Sequence, residues 1–60
     1  MNAVTRAYSV AVAATYLSSS QAIIRGLIRG NKLPAKKLGT KVLIDGADLD
    51  ALFEALPEVD

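Results

Sequence analysis

From residue 10 the apolar residues keep a helical rhythm. Val10, Ala13, Ala14 and Leu17 recur at i, i+3, i+4 and i+7, the spacing of one helix face. Ser9 stands just before them, and its hydroxyl can accept from a free first-turn N–H. Val12 occupies the position where a capping glutamate often sits. The run Ser18-Ser19-Ser20 then breaks the rhythm, because serine competes for backbone hydrogen bonds and favours turns and caps. The spacing predicts a helix over 10–17, a turn of about three residues, and a second helix capped by Ser20. Ile24, Leu27 and Ile28 form the apolar stripe of that second helix, with Ile23 at its edge. At about 100° per residue, Ala22, Arg25, Gly26 and Arg29 gather on the opposite side. Gly30-Asn31 suits a left-handed helix stop, and Leu33-Pro34 reinforces it.

Beyond Pro34 the period shortens. Ala35-Lys36-Lys37-Leu38 and Lys41-Val42-Leu43-Ile44 flank Gly39-Thr40, which predicts a small β-hairpin. Asp45 reads as the N-cap of a last helix, with Asp48 completing a weak capping box. Leu49, Leu52, Phe53 and Leu56 make its apolar face, and Pro57 closes it. Residues 1–7 read as a flexible arm, 8–57 as the domain and 58–60 as a tail. The expected fold is mainly α with a small β-hairpin, in the order helix, tight turn, helix, hairpin, helix. None of these helices is long enough to stand alone, so their stripes must share one core.

Composition narrows the chemistry. The chain has 60 residues and neither Cys nor His, so disulfides, a zinc site and redox chemistry are excluded as supports. No catalytic residue, cofactor or metal is expected. No Lys/Ser pairing suggests a pocket, and the acids fall on an exposed helix face rather than in a buried pair. The apolar stretches are too short to span a membrane, and Met1 to Tyr8 lacks the apolar core of a signal peptide. The expectation is one soluble domain in the cytoplasm, with no membrane partner.

The net charge of +1 decides nothing, but its distribution does. Arg25, Arg29, Lys32, Lys36, Lys37 and Lys41 follow one another without an acid between them. Asp45, Asp48, Asp50, Glu54, Glu58 and Asp60 follow without a base. A block of like charge is commonly a solvated face, so its meaning depends on the element that carries it. Two short helices joined by a tight turn, the second exposing small and basic residues, form a helix-turn-helix. Its second helix enters the major groove of double-stranded DNA with its N-terminal end leading. Gln21, Ala22 and Arg25 would then lie nearest the bases, with Ser20 and Gly26 also in the DNA-binding face of that helix: glutamine suits adenine, arginine suits guanine, and alanine can touch a thymine methyl. Arg29, further along, would reach a phosphate. Gly26 has two readings, a tolerated surface glycine or a site of close approach to a groove wall or another backbone. A glycine inside a helix costs about 0.5–1 kcal/mol relative to alanine, which the second reading would offset.

The hairpin offers a second contact surface, with Lys36, Lys37 and Lys41 beside the Gly39-Thr40 tip. Such a wing can follow phosphates into the adjacent minor groove, with affinity that falls steeply with salt. Lysines on an edge hairpin also guard against aggregation, which is the alternative reading. The acidic helix cannot face the same DNA. It serves solubility, or it meets the basic surface of a neighbouring copy, with Val12, Tyr16, Asp48 and Glu54 as candidate contacts in a head-to-tail row.

The stretch Tyr8-Ser9-Val10, Ala13-Ala14, Leu17, Ser20, Ile24, Leu27-Ile28-Arg29, Leu33-Pro34-Ala35, Leu38-Gly39, Ile44, Asp48-Leu49 and Phe53 resembles the winged helix-turn-helix of the MerR/excisionase type. The resemblance covers about residues 8–56 and is more specific for fold than for role. Three positions depart from the family pattern. Val12 replaces a usual acid, Ser18 takes the common glycine of the turn, and Gly26 sits where a larger polar residue is usual. Within the family the chain is similar to phage excisionases, also called recombination directionality factors. That resemblance implies a DNA-binding, DNA-bending protein without catalysis. It implies binding at adjacent phage attachment sites in the bacterial cytoplasm, often cooperatively, to steer a tyrosine integrase towards prophage excision. A small helix-turn-helix transcriptional regulator is the alternative within the fold. A protein-interaction module offering its acidic helix is the alternative outside DNA binding.

Overall fold

The computed structural model describes residues 6–59. It contains β1 (Ala7–Ser9), α1 (Val10–Tyr16), α2 (Gln21–Arg29), β2 (Lys36–Leu38), β3 (Lys41–Asp45) and α3 (Gly46–Glu54). The expected winged helix-turn-helix is present. Its sheet is larger than the expected hairpin, with three antiparallel strands in the order β1-β3-β2.

Serines set both ends of the helix-turn-helix. Ser9 caps α1 by accepting from the Val12 N–H at 3.2 Å, and Ser20 caps α2 by accepting from Ile23 N–H at 3.2 Å. Between them Ser18 adopts φ 53, which lets the Ser19 N–H reach back to the Ala14 carbonyl at 2.7 Å. The end of α2 repeats the device: Asn31 takes φ 60, and Lys32 N–H bonds the Leu27 carbonyl at 2.8 Å. These backward bonds satisfy carbonyls that a helix end leaves open. Of the expected Gly30-Asn31 stop, Asn31 holds the left-handed residue, while Gly30 caps at φ −85.

Every element but β2 faces one core. Val10, Ala13 and Ala14 enter from α1, Ile24 from α2, Ile44 from β3 and Leu49 from α3, with Leu33 filling from the loop after α2. Tyr8 of β1 packs against this cluster. No polar or charged residue is buried among the described residues.

Three expectations are corrected. Arg6 and Ala7, read as the end of a loose arm, are tied into the sheet. Ala7 pairs with Asp45 in β3, and the Arg6 carbonyl accepts from Gly46 N–H at 2.7 Å. Residues 1–5 of that arm and Asp60 of the tail lie outside the described residues. In α3, Leu49 is fully buried and Leu52 half-buried, but Phe53 and Leu56 are 60% and 52% exposed. The helix stops at Glu54, and its contact with β3 covers only one side. Finally, the Asp45 cap bonds the Ala47 N–H at 2.9 Å rather than forming a box with Asp48.

Candidate nucleic-acid interface

The exposed side of α2 is the centre of the site. Ser20, Gln21, Ala22, Arg25, Gly26 and Arg29 are all exposed; Ala22, Gly26 and Arg29 lie on the side away from fully buried Ile24, Arg25 lies at its edge, and Ser20 and Gln21 stand at the leading end of the helix. Their arrangement follows from the helix repeat, which puts Ala22 and Gly26 on one line opposite the Ile24 stripe. A Cβ built on Gly26 would meet nothing within 4 Å, so no packing inside the molecule calls for glycine there. Arg25 and Arg29 flank that line on the side of the sheet. With Val10, Ile28 and Val42 they border a cleft of about 230 Å³ between α2 and β3. The Ser20 cap takes up the Ile23 N–H, and the other first-turn N–H groups of a helix favour an anion.

The wing supplies further cations, but its pleat divides them. Lys37 lies opposite Val42, on the face that also carries Ile44 and Tyr8. Lys36 pairs with Leu43 and Lys41 with Leu38, so these two lysines point to the other face. Gly39 turns the hairpin at φ 64, with Thr40 beside it, and both are exposed. Leu38, next to the turn, is 67% exposed. The outer sheet face holds a second cleft of about 390 Å³, bordered by Arg6, Ala7, Leu43, Asp45 and Asp48 among others.

The acids behave differently. Arg6 Nε donates to Asp45 Oδ2 at 3.2 Å across the sheet, a contact that sequence reasoning missed. The Ala47 N–H and then the Arg6 guanidinium hold the Asp45 carboxyl below its ordinary value, with Lys36 adding a smaller attraction. Tyr16 donates its phenol to Asp50 Oδ1 at 2.6 Å, joining α1 to α3. That bond, followed by the Asp50 charge, raises the Tyr16 pKa. Tyr8 and Tyr16 pack with ring centroids 5.2 Å apart.

The four candidate protein contacts do not form one surface. Val12 and Tyr16 are exposed one turn apart on α1, and Tyr16 leads to the Asp50 side of α3. Glu54 lies one turn beyond Asp50 on that side. Asp48 instead borders the outer-sheet cleft. Residues missed by sequence reasoning complete the first surface, namely Asp50 and exposed Phe53. Their signal was present in the alternation of acid and apolar residues along α3, but only tertiary contacts reveal which face stays uncovered.

A helix-turn-helix domain model matches residues 7–57. The chain belongs to the helix-turn-helix domain family. That family includes excisionase-like DNA-binding proteins, and membership implies DNA as a partner of this chain. No curated protein and no solved structure matches the chain. Among the described residues no helix is long and apolar enough to cross a membrane.

Proposed function

We propose that the chain is a sequence-specific, DNA-bending excisionase that directs a tyrosine integrase towards prophage excision. The observation carrying the DNA part is the exposed basic side of α2 beside a basic wing, within a helix-turn-helix fold. In this reading α2 lies in the major groove. Gln21, Ala22 and Arg25 meet base edges, Arg29 meets a phosphate, and Ser20 holds the leading turn. The wing tip, Gly39 and Thr40, brings Lys36, Lys37 and Lys41 to the backbone or the adjacent minor groove. The excisionase part is supported by the family resemblance and by the segregation of charge. A basic face on one side and an acidic, partly apolar face on the other allow copies to line up head to tail on DNA. Val12, Tyr16 and Glu54, with Asp50 and Phe53, form the acceptor surface in that arrangement. Bending a short site costs about 1–6 kcal/mol, which phosphate contacts from several adjacent copies can offset.

An excision assay with the cognate integrase and attachment DNA, with and without this protein, tests the reading. The expected result is excision that depends on the protein, with footprints over adjacent sites. Footprints on a promoter with unchanged excision would leave a transcriptional regulator. A salt-insensitive protein complex without DNA affinity would point to the interaction module.

A further inference from the structure

We infer that Ile23 is a specificity-determining residue that reads thymine, through contact with a C5-methyl group on one wall of the major groove. The inference rests on α2 being the major-groove helix and extends it to a residue on the opposite edge from the arginines. Ile23 is 57% exposed, whereas its neighbour Ile24 is wholly buried. The core side of α2 is already occupied by Ile24, Leu27 and Ile28. An isolated exposed isoleucine on an ordinary surface needs no explanation. This one stands on the recognition helix, in the first turn.

Its direction follows from the helix repeat. The line through Ala22 and Gly26 is the middle of the exposed side, and Arg25 and Ile23 stand about 80° to either side of it. The middle is bare: Ala22 carries one methyl group, and the space above Gly26 is open to 4 Å. Arg25 and Arg29 occupy the edge next to the wing, as their shared cleft with Val42 shows. Ile23 therefore occupies the edge away from the wing. The helix presents a low centre between a cationic edge and an apolar edge. Its position is held from the backbone, because Ile23 N–H is the donor to the Ser20 cap.

The chemistry then selects one base. In the major groove, guanine, adenine and cytosine offer polar donors and acceptors, while thymine adds a methyl group. An aliphatic side chain can bury that methyl. Against a polar edge it would exclude water and leave donors or acceptors unpaired, which disfavours the other bases. Gln21 and Arg25 supply polar discrimination on one edge, and Ile23 supplies apolar discrimination on the other.

The test begins by selecting a tight duplex from a random-sequence pool with the wild-type protein. Each thymine of that duplex is then replaced singly by deoxyuridine, which deletes only the methyl group. Binding is measured for wild type and for Ile23→Ala. The exposed position and the better helix propensity of alanine keep this variant folded, as a thermal melt verifies. The expected result is a loss of about fourfold for wild type at one or two thymines, the effect of one buried methyl-sized group. The variant loses nothing at those positions. Uridine tolerated everywhere by the wild type, or an equal loss in both proteins, overturns the inference. If no duplex is enriched, sequence-specific recognition itself fails and this contact falls with it, a result distinct from the other two.

Discussion

The cations of α2 and the wing are exposed, whereas Asp45 and Asp48 beside α3 are half-buried, and the two sets of charges are engaged differently. Asp45 accepts from Arg6 and Ala47, and Asp50 accepts from Tyr16, so these acids fasten the sheet edge and α1 to α3. Among the described residues, the side chains of Arg25, Arg29, Lys37 and Lys41 take part in no salt bridge or hydrogen bond. Lys36 is intermediate, since it lies near enough to Asp45 to lower that carboxyl's pKa. Exposed ion pairs add little stability, about 0–1 kcal/mol. Asp45 and Asp50 therefore act mainly by fixing geometry. The free cations do no such internal task and retain their charge for an external anion.

The strongest way to break this contrast is to replace Arg25, Arg29, Lys37 and Lys41 together by glutamine. If they neutralise phosphates, DNA affinity collapses, and the slope of log affinity against log salt flattens by about 0.9 for each phosphate that is no longer neutralised. Folding stability should change little for each exposed substitution, within about 0.5 kcal/mol. Fluorescence anisotropy across a salt series, beside a urea melt, reads both quantities. An unchanged slope would mean that the basic face is only a solvated surface. Single replacements refine the result: a wing lysine should weaken all duplexes alike, whereas Arg25→Ala or Gln21→Ala should change site preference.

Gly26 sharpens the same contrast at smaller scale. Gly26→Ala should stabilise the fold by about 0.5–1 kcal/mol, because alanine is the better helix former and the added methyl meets open space. On the DNA-facing line the same methyl should weaken binding, since the helix can no longer approach as closely. Opposite signs in a thermal melt and a binding titration support a docking surface. A stability gain with unchanged affinity would return Gly26 to the role of a tolerated surface glycine.

The helix-turn-helix was legible because its signals are local. Ser9 and Ser20 cap through bonds only three residues long, and the Ile24 stripe needs only the helix period. The third strand was not legible. Ala7–Ser9 is too short to show alternation, and it becomes a strand only because β3 lies beside it. Phe53 misled for a related reason: the sequence shows an apolar face but not how far the neighbouring elements reach over it. In the candidate site, the exposed residues of α2 could be named from spacing. The division of the wing lysines between two sheet faces required the register of β2 against β3. The Arg6–Asp45 and Tyr16–Asp50 contacts join residues far apart in the chain, which no local pattern reports.

On the acidic side, Asp45 gives a pH test. Its folded pKa lies below the ordinary 3.8, so its contribution to stability is fully present above that value. The contribution disappears as pH falls from 3.8 through the lowered folded value. Asp45→Asn preserves a good cap but removes the ionisation. It should flatten the acid limb of stability, measured by urea midpoints from about pH 5 to about pH 2. An unchanged limb would show that Arg6 and Ala47 do not favour the ionised carboxylate in solution.

The smallest expected effect concerns Tyr16. Its hydrogen bond to Asp50, and then the carboxylate's charge, raise the phenol above its ordinary 10.0. The neutral phenol is the form that donates. The bond's contribution to stability is therefore present below pH 10.0 and is lost as pH rises through the raised folded value. In a Tyr8→Phe background, which keeps the ring beside Tyr16, ultraviolet absorbance follows Tyr16 alone. Adding Asp50→Asn should bring its midpoint back towards 10.0 and slightly lower stability at neutral pH. DNA affinity should not move, because this bond belongs to the α1–α3 side. A fall in single-site affinity on breaking it would mean that the acidic side helps to position the recognition helix, and the two sides could no longer be treated as independent.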